Sequence, residues 1–567
     1  MVSVSGKPWA ASVRYETGSR VLRVHPEDNV LVALSDLKKG EEVEIDGQKF
    51  RLTTDVEAKH KFATAGLKRG DAVVMYGIPI GMAVDSILQG ELITTSNVRH
   101  HAAAVEGKSA PHRWVAPDAA RWRQRTFSGF VRGDGQVGTR NHWLVVPLVF
   151  CENRNVGVLK QAFEEELGYA PPQVYRSQVA KLADLYRSGK LRSGELGETS
   201  AQPGGAAHHQ RRLFPNVDGI KFLVHEGGCG GTRQDAAGLA GLLAGYIHHP
   251  NVAGATILSL GCQNAQIELV RAEIGKRNRE FTKPLVVVEQ QQSRSEFAMI
   301  SEAIERTFLG LVEANKSTRV PAPMSRLTLG LKCGGSDGFS GISANPAVGH
   351  AADLMAAIGG KTILSEFPEL CGVEQDLVNR AATPETADRF LRLMGEYNAR
   401  AQAVGSGFDM NPSPGNIRDG LITDAMKSAG AARKGGTSTV AAVLDFPEYA
   451  VEPGLNLLCT PGNDVESVTA EVGSGANLVL FTTGLGTPTG NPIAPVVKIS
   501  TSSQLARRMP DIIDLDAGPI ISGERTVDQM GEEILELVTR VAGGEVKTKA
   551  ELLGQDDFIP WKRGVSL

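Results

Sequence analysis

Residues 220–232, IKFLVHEGGCGGT, read as a buried strand running into a glycine-rich turn, and residues 234–248 continue with helical periodicity. The same unit recurs on both sides. Upstream, 143–150 (WLVVPLVF) is a fully apolar strand followed by an amphipathic helix over 156–167. Downstream, 255–260 (ATILSL) leads through GCQN into a helix ending near 277, and 284–289 (PLVVVE) precedes a helix reaching about 314. Apolar strands alternating with helices predict a parallel sheet covered on its faces by helices. A breaker segment, 315–326 (NKSTRVPAPMSR), opens a second alternating region. Its strands are expected at 327–331, 362–365, 455–458, 478–481, 496–499 and 512–515, which predicts an unusual Rossmann-like parallel sheet.

The N-terminal part is different. Short apolar runs at 21–24, 30–34 and 72–76 are punctuated by Gly40, Gly47, Gly70, Gly77, Gly81 and Gly90, the pattern of a small β domain. Residues 102–125 contain two prolines and no sustained period; they read as a linker anchored by Trp114 and Trp122. Residues 187–212, polar and holding His208-His209, read as a solvated loop. The expected organisation is α/β: a β domain over 1–101, the linker, a middle α/β domain over 126–320 and a C-terminal α/β domain over 321–567.

Of 567 residues, 41% are hydrophobic and 22% charged, a balance able to bury large cores. Lys and Arg number 60 against 64 acidic residues, a net charge of −4 that argues against nucleic acid or an anionic membrane as the main partner. No 18-residue apolar run occurs, and the start, MVSVSGKPWAASVRYE, lacks the apolar core of a signal peptide, so the cytoplasm is the expected location. Six scattered cysteines do not make a disulfide scaffold.

Four of those cysteines follow expected strands: Cys151, Cys229, Cys262 and Cys333. Ligands of open parallel sheets bind beyond the carboxyl ends of the strands, where helix N-termini lower thiol pKa values and hold anions. The thiolates are therefore candidates for iron or an iron–sulfur centre, or one is a nucleophile; small buried residues are the plain alternative. No CxxC is present, so spacing itself does not specify a metal. The loops 225–232, 331–346 and 481–492 combine Gly with Ser, Thr, Asp and Asn, and suit a polyhydroxylated or carboxylated ligand. No GxGxxG with its downstream acid occurs, so a dinucleotide is not indicated.

Several long motifs carry a family likeness: GFVRGDGQVGTRN (129–141), HEGGCGG (225–231), LGCQ (260–263), CGGSDGFSGISANPAVG (333–349), ILSEFPEL (363–370), TPGNDVESVT (460–469) and FTTGLGTPTGNPIAPVVKI (481–499). They resemble the altronate/galactarate dehydratase family. DNVLVALSDLKKGEEV (28–43), AKHKFA (58–63) and YGIPIGMA (76–83) are similar to that family's SAF-type β-clip domain. The resemblance implies dehydration of a sugar acid to a 2-keto-3-deoxy acid, with altronate the first expected substrate and galactarate the alternative. It implies iron, as Fe2+ or an iron–sulfur centre, with Mn2+ as a replacement, and a homodimer joined through the middle domain. A sulfolactate sulfo-lyase is a more distant option, and a non-catalytic sugar-acid-binding protein is a reading of another class. One departure stands out: many relatives close the β-clip with His-Thr-His-Asn, where this chain has Thr94-Thr95-Ser96-Asn97, with His100 and His101 just beyond.

The site expected on these grounds has four catalytic candidates. His60 is retained in its family motif; His225 ends a strand beside Cys229; Asp337 lies in a glycine-rich loop; Glu366, with Glu369 near it, follows a strand as base or metal ligand. Arg140, Lys332, Ser336 and Lys498 are candidates for substrate, and Cys229, Cys262 and Cys333 for the metal. Cys371 and Cys459 read as structural. Each has a plain alternative as a surface or core residue.

Overall fold

A computed structural model describes residues 18–102, 104–170, 174–191 and 212–566. The expected His208-His209 loop lies outside them. Strands Val21–Leu22, Val30–Ala33 and Lys61–Ala63 form one antiparallel sheet, and Ala72–Met75, Ile78–Ala83 and Val98–Arg99 another. Two tight hairpins turn on residue pairs with positive φ, Asp46-Gly47 and Tyr76-Gly77, the geometry that matches strand twist.

The middle region holds a parallel sheet of β1 (His142–Pro147), β2 (Gly219–Phe222), β3 (Val252–Ser259) and β4 (Leu285–Glu289), in the order β2-β1-β3-β4. The helix α1 (Arg233–His248) follows β2 and is capped by the Thr232 side chain. The C-terminal region holds β5 (Thr328–Cys333), β6 (Lys361–Leu364), β7 (Val440–Leu444), β8 (Gly454–Leu458), β9 (Leu478–Thr483), β10 (Val496–Ser500) and β11 (Leu515–Asp516). Their order is β7-β8-β6-β5-β9-β10-β11, all parallel, so β5 is central. Among its helices are α2 (Ala344–Ala357), α3 (Asp424–Ala432), α4 (Asp464–Gly473) and α5 (Val527–Ala542).

Two local expectations change. β7 adds an edge strand, the short apolar run VAAVL, to those expected. The breaker segment is not all loop: Val320–Pro323 pairs antiparallel with Thr126–Val131 and ties the entry of the middle region to its exit. Its prolines are tolerated because it is an edge strand. In the linker, Trp122 is buried and donates to Glu532 Oε2 (2.9 Å), while Trp114 Nε1 donates to Thr437 Oγ1 (3.2 Å).

The β domain is not an appendage. One hydrophobic core runs from Tyr76 and Ile80 through Met426 to Leu331 and Phe367, joining the β domain to the C-terminal sheet. A second joins Leu144 and Leu242 of the middle region to Phe481. Among the described residues, no helix is long and apolar enough to cross a membrane.

Candidate active site

β5 delivers Lys332 and Cys333 to the carboxyl edge of the C-terminal sheet. Beside it, β6 ends and Glu366 takes a left-handed conformation (φ 71°), sparsely allowed for a residue with a side chain. Thr460 holds it there: its Oγ1 accepts from Glu366 N at 2.9 Å and its carbonyl accepts from Phe367 N at 3.2 Å. The turn Phe367–Leu370 then brings Glu369 back toward Cys333. Lys427 projects from α3, and Lys434 follows seven residues later in the turn Arg433–Gly435, about two helical turns on and hence on the same face. Asp464 opens α4, behind the capping side chain of Asn463.

These groups form one buried ionic cluster. Lys332 pairs with Glu366 and, at 2.8 Å, with Asp464. Lys434 lies 2.6 Å from Cys333 Sγ and 3.3 Å from Glu366 Oε2. Lys427 pairs with Glu369 at 2.8 Å and donates to Asn411 Oδ1 at 2.6 Å. Cys333 Sγ stands 3.4 Å from Glu369 Oε2. Lys332, Glu366 and Glu369 are buried; Asp464, with 28% of its side chain exposed, is the edge of the cluster that meets solvent.

The surroundings set the protonation states. Burial pushes the Cys333 thiol up to about 12 against the pull of Lys434, so it is a thiol at neutral pH. Burial and the Glu369 charge raise the Glu366 carboxyl. Burial works the same way on Glu369, but Lys427, Lys332 and Lys434 outweigh it and hold that carboxyl at about 2. Deeper still, burial lifts Glu471 to about 8, and its carboxyl accepts from Ser365 Oγ at 2.6 Å.

From Cys333 the glycine-rich loop runs to Asp337, where the β domain docks. Lys59, itself left-handed (φ 76°), pairs with Asp337 (3.1 Å) and Asp419 (2.8 Å). Asp337 is fully buried and also accepts from Thr501 Oγ1 and Ser340 Oγ. His60 Nε2 meets the Arg418 carbonyl at 3.0 Å, and Lys61 Nζ donates to the Gly420 carbonyl at 2.8 Å. Gly338 and Gly420 make this approach possible: a Cβ at either would meet the Lys59 carbonyl within 3 Å. Burial lowers Lys61 to about 7 and lowers His60 below its usual value.

Of the residues singled out from the sequence, Lys332, Cys333 and Glu366 are thus brought together, with Glu369. Asp337 and His60 stand at the docked loop at the other end of the 333–338 segment. Ser336 is buried, its carbonyl accepting from Asn416 Nδ2. Lys498 lies over the Phe481 ring, as Lys332 does, and burial lowers it to about 8. Four of the candidates stand apart from this cluster. Arg140 is not free for substrate: its guanidinium is clamped on Glu551 (2.7 and 2.9 Å) and on the carbonyls of Thr139 and Val541. His225 has both ring nitrogens engaged by backbone, Nε2 with the Pro147 carbonyl and Nδ1 with Gly227 N, which shapes the loop. Cys229 and Cys262 are exposed on the middle region, and the donor atoms gathered with Cys333 come from Glu366 and Glu369 instead. Sequence reasoning missed Lys61, Lys427, Lys434 and Asp464. The Lys59–Lys61 pair flanks His60 in a quoted motif, but nothing local marks the spacing of Lys427 and Lys434.

The Cys333, Glu366 and Glu369 donor atoms lie within 4.8 Å of one another, yet they do not fit Fe2+ as arranged. Three ammonium groups already match the three carboxylates of Glu366, Glu369 and Asp464, and Lys434 occupies the face of a protonated thiol. A dication there would add charge to a balanced, buried network. A second set of donor atoms, His100, Cys371 and Asp424, lies at the edge of the β domain.

Comparison with known proteins agrees with the geometry. Residues 19–101 match the altronate/galactarate dehydratase SAF domain, 129–315 the second domain of D-galactarate dehydratase/altronate hydrolase, and 324–566 the C-terminal domain of D-galactarate/altronate dehydratase. The altronate dehydratases of Escherichia coli (strain K12) and Bacillus subtilis (strain 168) are each 32% identical over 96% of this chain and 99% of their own. The galactarate dehydratase (L-threo-forming) of Escherichia coli (strain K12) is 29% identical over 96% of both chains.

Proposed function

The chain belongs to the altronate/galactarate dehydratase family, and from that premise we propose that it dehydrates D-altronate to 2-keto-3-deoxy-D-gluconate, with galactarate as the alternative substrate. The observation that carries this reading is the meeting of three lysines with two glutamates and a thiol beside a glycine-rich loop. An α-proton next to a carboxylate is weakly acidic, and removing it needs the carboxylate charge neutralised as the aci-carboxylate forms. Lys427 and Lys434 supply that neutralisation by exchanging their pairings with Glu369 and Glu366 for the substrate carboxylate, while Lys332 holds Glu366 in place.

Glu366, its carboxyl made more basic by burial and the Glu369 charge, takes the C2 proton. The C2–H electron pair passes through the aci-carboxylate into a C2–C3 double bond as the C3–O bond breaks. Lys61, at about 7, protonates the departing hydroxide, which leaves as water. The enol then takes a proton at C3 and loses one from O2, giving the 2-keto-3-deoxy acid. Glu366 returns its proton to solvent and Lys61 regains one.

Fe2+, or Mn2+ in its place, belongs to this reading through the family resemblance, held outside the lysine–glutamate cluster. When bound it would supply Lewis-acid stabilisation of developing negative charge. The enzyme so proposed works in the cytoplasm as a homodimer joined through the middle domain. Purified protein given D-altronate and galactarate in separate anaerobic assays should release a 2-keto-3-deoxy acid from altronate. Product from galactarate alone would exchange the substrate. Binding of either acid without any product would replace the enzyme by a sugar-acid-binding protein.

A further inference from the structure

We propose that His100, Cys371 and Asp424 form a binding site for a divalent transition-metal ion, separate from the lysine–glutamate cluster but adjoining it. The three side chains come from distant parts of the chain. His100 follows the last strand of the β domain, Cys371 lies two residues beyond Glu369, and Asp424 opens α3 one turn before Lys427. One ligand atom from each lies within 4.8 Å of the others. Bond lengths of 2.0–2.3 Å to such donors give tetrahedral edges of about 3.5 Å, so closure onto an ion needs only small side-chain rotations.

The independent sign of a missing cation is Asp424. Its side chain is fully buried, and among the described residues neither carboxylate oxygen receives a hydrogen bond from an N–H or O–H group. The Cys371 thiol is its hydrogen-bonding neighbour. The nearest ammonium, that of Lys427, is committed to Glu369 and Asn411. A buried carboxylate without a counterion is costly, and it either keeps a proton or holds a cation. The surroundings favour a cation: Asp409 and Glu374 add negative charge around His100 and Cys371.

The donors are also correctly presented. Ala425 N makes a long hydrogen bond of 3.3 Å to His100 Nδ1, setting the ring against the first turn of α3. Gly372 (φ 93°) packs its Cα between Ala425 and Ala102, where a Cβ would lie 3.2 and 3.5 Å from their methyl groups, so the loop carrying Cys371 is pressed onto both partners. His100 and Cys371 are half-buried, which leaves an approach from solvent while Asp424 forms the floor. Imidazole, thiolate and carboxylate together suit Fe2+ or Zn2+ better than Mg2+ or Ca2+. Three protein donors would leave at least one coordination position open.

Metal uptake is read without substrate, so its failure leaves the dehydratase reading standing. Full-length protein freed of metal by a chelator and titrated with Co2+ under anaerobic conditions should bind one ion per chain and develop a thiolate-to-Co2+ charge-transfer band. Cys371→Ser should abolish the band. Asp424→Asn should weaken Co2+ binding by more than the roughly tenfold to hundredfold lost with an outer-shell partner. Metal-free Asp424→Asn should unfold at no lower temperature than the parent, because the amide removes a buried charge; if it fails to fold, His100→Gln supplies the same binding test. Cys333→Ser should keep the band. A band that survives Cys371→Ser, a band lost in Cys333→Ser, or no Co2+ uptake by the parent would each overturn the proposal.

Discussion

Lys434 stands between a thiol and a carboxylate, and its removal leaves Glu366 to Lys332 alone and Cys333 without a cationic neighbour in contact. Lys434→Gln should reduce turnover of altronate by at least about a hundredfold, the scale of losing one preorganised electrostatic group. Near-parental turnover in a folded Lys434→Gln protein would remove Lys434 from the mechanism. Lys61 makes a pH prediction whose sign follows from its role. As the acid it must carry its proton, so turnover should fall as pH rises through about 7. Lys61→Arg keeps its charge to much higher pH and should move that alkaline limb upward in a pH profile; an unmoved limb would assign the acid elsewhere. Stability runs the other way. The unfolded lysine titrates near 10.5, so between about 7 and 10.5 the unfolded chain binds more protons, and the Lys61 contribution to stability improves as pH rises through that window.

At the level of elements, the decisive contact is the insertion of the loop 59–61 between the 333–338 loop and the segment that precedes α3. Its tolerance is set by glycine. Gly338 is not held at positive φ, so alanine there is conformationally acceptable and acts only through the clash with Lys59. Gly338→Ala should cost about 1–3 kcal/mol in denaturant unfolding, as overpacking does, and should lower turnover by shifting Lys61. Full activity in that variant would mean that the docking seen here is not needed for catalysis. The site is thus shared between the β domain and the C-terminal sheet, and neither alone contains the proposed base and acid.

Across the whole molecule, the two large cores bind three regions into one framework, and buried ion pairs clasp its edges. Arg140 and Glu551 are one such clasp, joining the middle region to the C-terminal end. Arg140→Met should destabilise the fold by about 1.5–3 kcal/mol, because it removes the charged hydrogen bonds of the partly buried Glu551. It should leave KM for the sugar acid unchanged in assays below the melting temperature. A raised KM with unchanged stability would restore Arg140 as a substrate contact.

Much of the architecture was legible in the residue pattern, because strand and helix periodicity is local. The alternation around IKFLVHEGGCGGT announces a parallel sheet, the glycine-punctuated runs before residue 101 announce a β domain, and the long motifs carry the family. Strand-end position also led to Cys333 and Lys332. It did not separate Cys333 from Cys151, Cys229 and Cys262, which occupy equivalent places on a different sheet. Convergence is a property of tertiary structure: Lys427 and Lys434 reach Glu369 and Cys333 only because α3 packs on the turn after β6 and the turn Arg433–Gly435 meets β5. For the same reason Cys371, structural by its sequence surroundings, meets His100 and Asp424 only when the β domain closes on the C-terminal sheet. The chain's local chemistry determined which elements form and which family they belong to; long-range packing of charged side chains decided which of those residues make the site.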